Sequence, residues 1–181
     1  TLNSFDTLDG KEGNDILNIQ TGIAIPPATI LNLTSIETVN VKSAVPLTLN
    51  GSNWEGTNTL NVTQATTSAD LIAAATTDVN VSGASGNIIV NDGKNVVVND
   101  ATADKTIKVD GAAGTITVTD TKNAGTAGTN DIKIDGGTDV TVTATADASS
   151  GNIEIGQAAT PILPTGDIKV TQNLNSDGNA G

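Results

Sequence analysis

A three-residue pattern recurs fourteen times along the chain: an apolar residue, a variable residue and a second apolar residue. The variable residue is usually Asn, Thr, Lys or Glu, so apolar and polar side chains alternate. The triplets begin at Leu17, Leu31, Val39, Leu47, Leu60, Val79, Ile88, Val96, Ile107, Ile116, Ile132, Val140, Ile153 and Ile168. Alternation with a period of two is the pattern of a short β-strand that has one apolar face. The sequence therefore predicts many very short strands.

The spacing of the triplets narrows the choice of fold. From Val79 onward most triplets start 8 to 11 residues after the previous one, and Gly, Asp, Asn and Ser fill the gaps. This rhythm is typical of a β-solenoid and also of a small β-sandwich. We predict an all-β fold of many short strands, stacked as a parallel β-solenoid or β-roll. A β-sandwich remains the alternative, because longer gaps follow Val118, Val142 and Ile155.

Aromatic residues are almost absent from the chain. Phe5 and Trp54 are the only two, and there is no Tyr, Cys or Met. The core must therefore be built from Val, Ile, Leu and Ala, and a buried Val, Ile or Leu contributes only roughly 1.5–3 kcal/mol. A regular stack of thin layers suits such a core. Trp54, in a loop between Gly51 and Gly56, is expected to be a packing residue and not a platform for a sugar.

Three segments interrupt the strand pattern. Residues 69–75 are the only helix-like run, and we expect a turn of helix or a loop there. Pro26-Pro27 and the pair Pro161 and Pro164 are expected to mark excursions from the stack, because proline is excluded from central strands.

Charge restricts the partners of the chain. The formal net charge is −12, the sequence pI is about 4.1, and all eight cationic residues are Lys. Such a chain repels nucleic acid and anionic membranes and attracts cations. We therefore expect neither nucleic-acid binding nor direct membrane insertion. The absence of His and Cys removes the usual bases and nucleophiles, so we predict that the protein is not an enzyme.

The most specific motif lies between Leu8 and Leu17. This segment resembles the glycine-rich nonapeptide of the RTX family, Gly-Gly-x-Gly-x-Asp-x-U-x, in which U is a large apolar residue. Gly10, Gly13, Asp15 and Leu17 match the first glycine, the third glycine, the aspartate and the apolar position, whereas Lys11 replaces the second glycine.

The RTX resemblance implies calcium. Calcium takes six to eight oxygen ligands, and glycine lets a turn present carbonyl oxygens where a Cβ would interfere. The expected ligands are Asp6, Asp9, Gly10, Gly13 and Asp15. The alternative is a Gly/Asp-rich turn before a strand, with Asp9 as a solvated charge.

A second set of carboxylates directly follows the later strands: Asp92, Asp100, Asp110, Asp120 and Asp135. If successive strands stack, some of these groups lie roughly 4.8 Å apart. They either end strands and start turns, which is common for Asp, or a subset of them ligates metal.

The stretch from Leu33 to Val41, Leu-Thr-Ser-Ile-Glu-Thr-Val-Asn-Val, follows soon after this RTX-like turn. Together they resemble the RTX-type surface-layer (S-layer) proteins of Gram-negative bacteria. The resemblance implies type I secretion, folding outside the cell with calcium, self-assembly into a lattice, and anchoring to lipopolysaccharide through another part of the chain. We predict three parts: residues 1–20 as the end of an RTX-like stretch, 21–172 as a short-strand domain and 173–181 as a frayed terminus.

The expected function is thus a structural segment of a secreted, extracellular surface layer. One alternative is a solenoid stalk or passenger segment of a large RTX adhesin. Another is a calcium-binding module attached to an extracellular polysaccharide-active enzyme. We find no signal peptide and no run of 18 apolar residues, so targeting signals are expected to lie outside this piece.

Overall fold

The computed structural model describes residues 7–23, 31–101, 105–122, 131–146, 151–156 and 160–174. Sixteen strands are found in these residues, and they are all of the regular structure there. They are β1 (Thr7–Asp9), β2 (Ile16–Thr21), β3 (Asn32–Thr34), β4 (Thr38–Ser43), β5 (Leu47–Gly51), β6 (Thr59–Ala65), β7 (Ser68–Ala73), β8 (Asp78–Val81), β9 (Asn87–Asp92), β10 (Val96–Asp100), β11 (Ile107–Ala112), β12 (Ile116–Asp120), β13 (Ile132–Gly136), β14 (Val140–Ala146), β15 (Ile153–Ile155) and β16 (Ile168–Leu174). Thirteen of the predicted triplets lie within a strand, and the other begins one residue before β3.

The strands stack in parallel. The even-numbered strands form one eight-stranded sheet in the order β16-β14-β12-β10-β8-β6-β4-β2, which we call the even sheet. Strands β5 to β15 with odd numbers form a six-stranded sheet, the odd sheet, and β1 pairs with β3. From β4 onward, successive strands of the chain alternate between the even sheet and the odd sheet. The β-solenoid prediction is therefore confirmed, and the sandwich is excluded because neighbouring strands run parallel and belong to successive coils.

The length of a coil varies along the stack. Hydrogen bonds join Asp78 to Asn95, 17 residues later, and Asp139 to Asp167, 28 residues later. The strands keep their register because the extra residues are placed in the turns. The irregular triplet spacing in the sequence thus reflects turn length and not a different fold.

The core lies between the two sheets. Both apolar residues of a typical triplet point inward and stack on the same positions of the next coil. Val96, Ile116 and Val140, for example, are in register on three successive strands and fully buried. Because every layer has nearly the same shape, small aliphatic side chains fill most of the interior.

On the outer face of the even sheet, four asparagines form a hydrogen-bonded ladder. The Nδ2 atoms of Asn40, Asn61 and Asn80 donate to the Oδ1 atom of the asparagine one coil earlier, at 2.9, 2.8 and 3.0 Å. Asn18 is the first member of the ladder and accepts from Asn40. The middle residues of these triplets therefore tie the first four even strands together.

The expectation of a turn of helix or a loop at residues 69–75 is wrong, because β7 covers most of this segment. Ala69, Leu71 and Ala73 point inward, and Leu71 lies in register with Leu49 on β5 and Val90 on β9. Parallel partners on both sides satisfy the backbone of β7, which outweighs the helix propensity of its alanines.

Trp54 is buried beside β5, which confirms its expected role in packing. Its indole Nε1 donates a hydrogen bond of 2.8 Å to the Leu31 carbonyl, and only 4% of the residue is exposed. A Cβ atom at Gly51 would lie 2.9 Å from the indole ring, so glycine makes room for it.

The ends of the described stack belong to the same solenoid. Strand β2 is the first strand of the even sheet, and β16 continues to Leu174, two residues into the segment expected to be frayed. Pro161 and Pro164 lie between β15 and β16, as expected for an excursion, whereas Pro26-Pro27 and residues 175–181 lie outside the described residues. The described part of the chain has no helix that is long and apolar enough to cross a membrane.

Candidate functional site

Two stacked turns form the corner that precedes β2 and β4. We call residues 9–15 and 35–37 together the N-terminal corner. The amide of Gly10 donates to the Thr34 carbonyl at 3.0 Å, and the amide of Thr38 donates to the Asp15 carbonyl at 3.1 Å. These bonds hold the RTX-like turn directly against the turn of the following coil.

Asp15 has the most unusual environment in this corner. Its Oδ2 atom is buried, and no hydrogen bond reaches that atom. The amide of Asp15 donates to Oε2 of Glu37 at 2.6 Å, so a second carboxylate contacts the backbone of Asp15. In the described residues, no lysine forms an ion pair with either carboxylate. An oxygen that can carry negative charge is therefore enclosed without a donor, which is costly for a carboxylate.

Glycine is required at Gly10 by the close approach of other groups. A Cβ atom there would overlap the Ser35 carbonyl oxygen and would lie 2.8 Å from Oδ2 of Asp15. The Ser35 carbonyl therefore faces the same small space as the Asp15 side chain. This arrangement agrees with the role expected for the first glycine of the motif.

Lys11 occupies the position of the second glycine and has the backbone conformation of a glycine. Its φ is 70°, in the left-handed region, and Gly13 has a φ of 135°. Residues other than glycine rarely adopt such φ values. The turn therefore has the backbone shape that a Gly-Gly motif favours, although the second residue is Lys.

Asp9 interacts with Lys11 and not with Asp15. Its Oδ1 accepts from the Lys11 amide at 2.9 Å, and its Oδ2 pairs with Lys11 Nζ at 2.5 Å. The hydrogen bond from the Lys11 side chain is the main cause that lowers the pKa of Asp9, and the group is exposed. Of the predicted ligands, Gly10, Gly13 and Asp15 lie close together in the structure. Asp9 forms an ion pair with Lys11 instead, and Asp6 lies outside the described residues.

Sequence reasoning missed Glu37 as a member of this corner. Glu37 lies 22 residues after Asp15 and stacks on it because Ile16 and Thr38 are in register. The distance from the first triplet at Leu17 to the one at Val39 is the same, so the coil length could have revealed the contact.

The N-terminal corner suits a hard cation, although it is small. Its oxygens are two carboxylates and nearby backbone carbonyls, which are the ligand types that calcium prefers. Within the described ranges, no group of three or more acidic, His or Cys residues could hold a metal. Backbone carbonyls and water would therefore have to supply most of the coordination.

The later aspartates fall at two different corners. Asp110 and Asp135 lie in register within β11 and β13, and Asp110 pairs with Lys108 at 3.2 Å. Asp92 belongs to the same corner, and its φ of 61° places it in the left-handed conformation that Gly111 and Gly136 adopt one and two coils later. Asp92 therefore lies in a repeated turn, whereas Asp110 and Asp135 are the fourth residues of their strands.

Asp100 and Asp120 form a separate pair at the C-terminal ends of β10 and β12. They are in register on β10 and β12, and both are buried: Asp100 is 5% exposed and Asp120 is 2% exposed. Burial, followed by the charge of Asp100, raises the pKa of Asp120 to about 6, although the amide of Lys122 donates to Asp120 at 2.9 Å and partly opposes the shift. An open pocket of about 450 Å³ adjoins Asp100, and small residues such as Ser82, Ala84 and Thr119 line it.

Comparison with known proteins finds no relative of this chain. No protein-family model matches the chain, and no curated protein or solved structure is significantly similar to it. The resemblance to RTX surface-layer proteins therefore depends on the residues of the motif alone.

Proposed function

We propose that this chain is a structural segment of a secreted bacterial surface layer, with calcium-dependent folding and lattice assembly. The observation that carries the proposal is the parallel stack, whose eight-stranded even sheet begins directly after an RTX-like turn. In the part of the chain that the structure describes, the strands of this sheet are hydrogen-bonded to those of the preceding and following coils. Such an architecture builds length and regular surfaces, which is what a structural protein needs.

Calcium enters this proposal through the N-terminal corner. The buried Asp15 Oδ2 and the close approach at Gly10 provide the kind of oxygen-lined space that a calcium ion fits. When bound, the ion would supply positive charge to the enclosed carboxylate. The residues of the chain align the two turns and keep side chains out of the space between them.

Further parts of the proposal come from the resemblance. The protein would reach the cell surface by type I secretion, contact further copies of itself in a lattice, and attach to lipopolysaccharide through another part of the chain. A catalytic role is not proposed, since the chain has no His or Cys and only two aromatic residues.

A stalk or passenger segment of a large adhesin is the second candidate, and the shape of the stack favours it. Eight parallel strands span seven intervals of about 4.8 Å, so the described stack is about 34 Å long. A solenoid of this kind adds reach with every coil, whether or not it tiles a surface.

Electron microscopy of the full-length protein with millimolar calcium separates the two candidates. Ordered two-dimensional sheets support the surface layer, and isolated rods support the stalk. In parallel, circular dichroism of the chain during titration with a chelator should show loss of β signal. A spectrum and melting temperature that are the same with and without calcium would contradict the calcium dependence.

A further inference from the structure

We infer that Glu37 supplies the second carboxylate of a calcium site whose first carboxylate is Asp15, so that one cation links the first two coils. This inference rests on the calcium dependence proposed above. It assigns the second ligand to the coil that lies outside the RTX-like motif, and it removes Asp9 from the site.

The first step concerns Oδ2 of Asp15, which is buried and has no hydrogen-bond donor. Oδ2 is enclosed by the turn at Gly10 and Gly13 and receives no hydrogen bond. A charged oxygen in that position loses its hydration without a replacement, which is unfavourable. A cation in contact with it would remove that penalty, whereas burial of the oxygen for packing alone would leave it.

The second step is the position of Glu37. Its Oε2 is 2.6 Å from the Asp15 amide nitrogen, which holds the Glu37 carboxylate against the backbone of the residue that carries the buried Oδ2 atom. Accepting one hydrogen bond uses only part of the capacity of a carboxylate, because its two oxygens offer about four acceptor sites. Glu37 can therefore hold the amide and bind a cation at the same time.

The third step excludes the nearby alternatives. Asp9 is exposed and already pairs with Lys11 through both oxygens. Glu12 is exposed on the outside of the same turn. The Ser35 carbonyl, by contrast, faces Gly10 and comes from the same coil as Glu37. The oxygens that converge on Asp15 thus belong to the second coil, and the donors are all oxygen, as calcium prefers.

A cation held in this way would order the first described coil. Among the described residues, β1 pairs with β3 and β2 pairs with β4, which join this coil to the next one. An ion shared by Asp15 and Glu37 adds a link between the two coils at the corner. Calcium should therefore slow amide exchange in residues 7–23 more than in the middle of the solenoid.

Isothermal titration of the chelator-treated 181-residue chain with calcium chloride tests the inference, with Glu37→Gln as the main variant. Loss of a direct ligand should weaken calcium binding about tenfold or more, since loss of an outer-shell partner alone costs about that much. Glu12→Gln is the matched control, because it removes the same charge from the exposed side of the turn and should bind calcium as the native chain does.

Hydrogen exchange measured by mass spectrometry tests the inference even if a variant destabilises the first coil. In the native chain, calcium should protect residues 7–23, and in Glu37→Gln this protection should be lost while the coils around Leu71 stay protected. Native binding with an affinity that Glu37→Gln leaves unchanged would overturn the inference and leave the proposed calcium dependence intact. Absence of calcium binding by the native chain would instead overturn the calcium dependence itself.

Discussion

Asp100 and Asp120 lie side by side on β10 and β12, in register and almost completely buried. The next residue in this row is Ala144 on β14, so the pair of carboxylates is not continued in that direction. Two carboxylates one coil apart in a parallel sheet repel each other when both are ionised. Burial together with this repulsion explains why the pKa of Asp120 is raised to about 6.

The first prediction concerns the pH dependence of stability. An Asp whose pKa rises from 3.8 to about 6 on folding binds more protons in the folded state between these values. Stability therefore falls as pH rises from about 4 through 6, by at most about 3 kcal/mol. Asp120→Asn should remove this slope and melt at a higher temperature than the native chain at pH 7. Melting curves from pH 4 to 7 measure the effect, with the exposed Asp167→Asn as control.

The second prediction tests the repeated left-handed turn. Gly136 has a φ of 85°, and a Cβ there would lie 3.2 Å from the Cα of Gly111 one coil earlier. Gly136→Ala should lower the free energy of unfolding by about 1–2 kcal/mol or more, because a side chain is unfavourable in this conformation. Gly22→Ala, where a Cβ meets nothing within 4 Å, is the control and should change stability little. Equal effects in urea denaturation would contradict the strain argument.

The strands were predictable from the sequence because each triplet carries its own local signal. Both inward residues of a triplet must be apolar in a two-sheet stack, so period-two alternation marks the strand wherever it occurs. Strand β7 lacked that signal because Ala69 and Ala73 are small and its outward position holds Ile72, which blurs the alternation. Strand β1 is only three residues long and depends on its pairing with β3.

The site was less predictable than the strands, because it depends on which turns come together. Asp15 and the two glycines were recognised from their spacing within one turn. Glu37 belongs to the next coil, and its contact with Asp15 follows only from the register of β2 with β4. Coil length varies from 17 to 28 residues, so such contacts follow from the spacing of individual triplets and not from one fixed period.

The third prediction tests the assignment of β7 as a strand with one inward face. Leu71 is fully buried, whereas its neighbour Ile72 points outward and is half-buried. Leu71→Ala should destabilise the protein by about 2–5 kcal/mol, the usual cost of a large cavity in a core. Ile72→Ala should cost clearly less. Chemical denaturation measures the free energy of unfolding of both variants. A similar decrease in the two would indicate that β7 is not a half-buried strand.

The last prediction concerns the asparagine ladder and its direction. Asn61 both donates to Asn40 and accepts from Asn80, so it needs an amide with a donor and an acceptor. Asn61→Asp replaces the donor with an oxygen that faces the Asn40 oxygen, and stability should fall by about 1–3 kcal/mol at pH 7. Asn18 only accepts within the ladder, so Asn18→Asp keeps its bond from Asn40 and should cost much less. The two variants have the same change in charge, and urea denaturation compares them directly. A loss in Asn18→Asp as large as that in Asn61→Asp would mean that added negative charge, and not the broken ladder, causes the destabilisation.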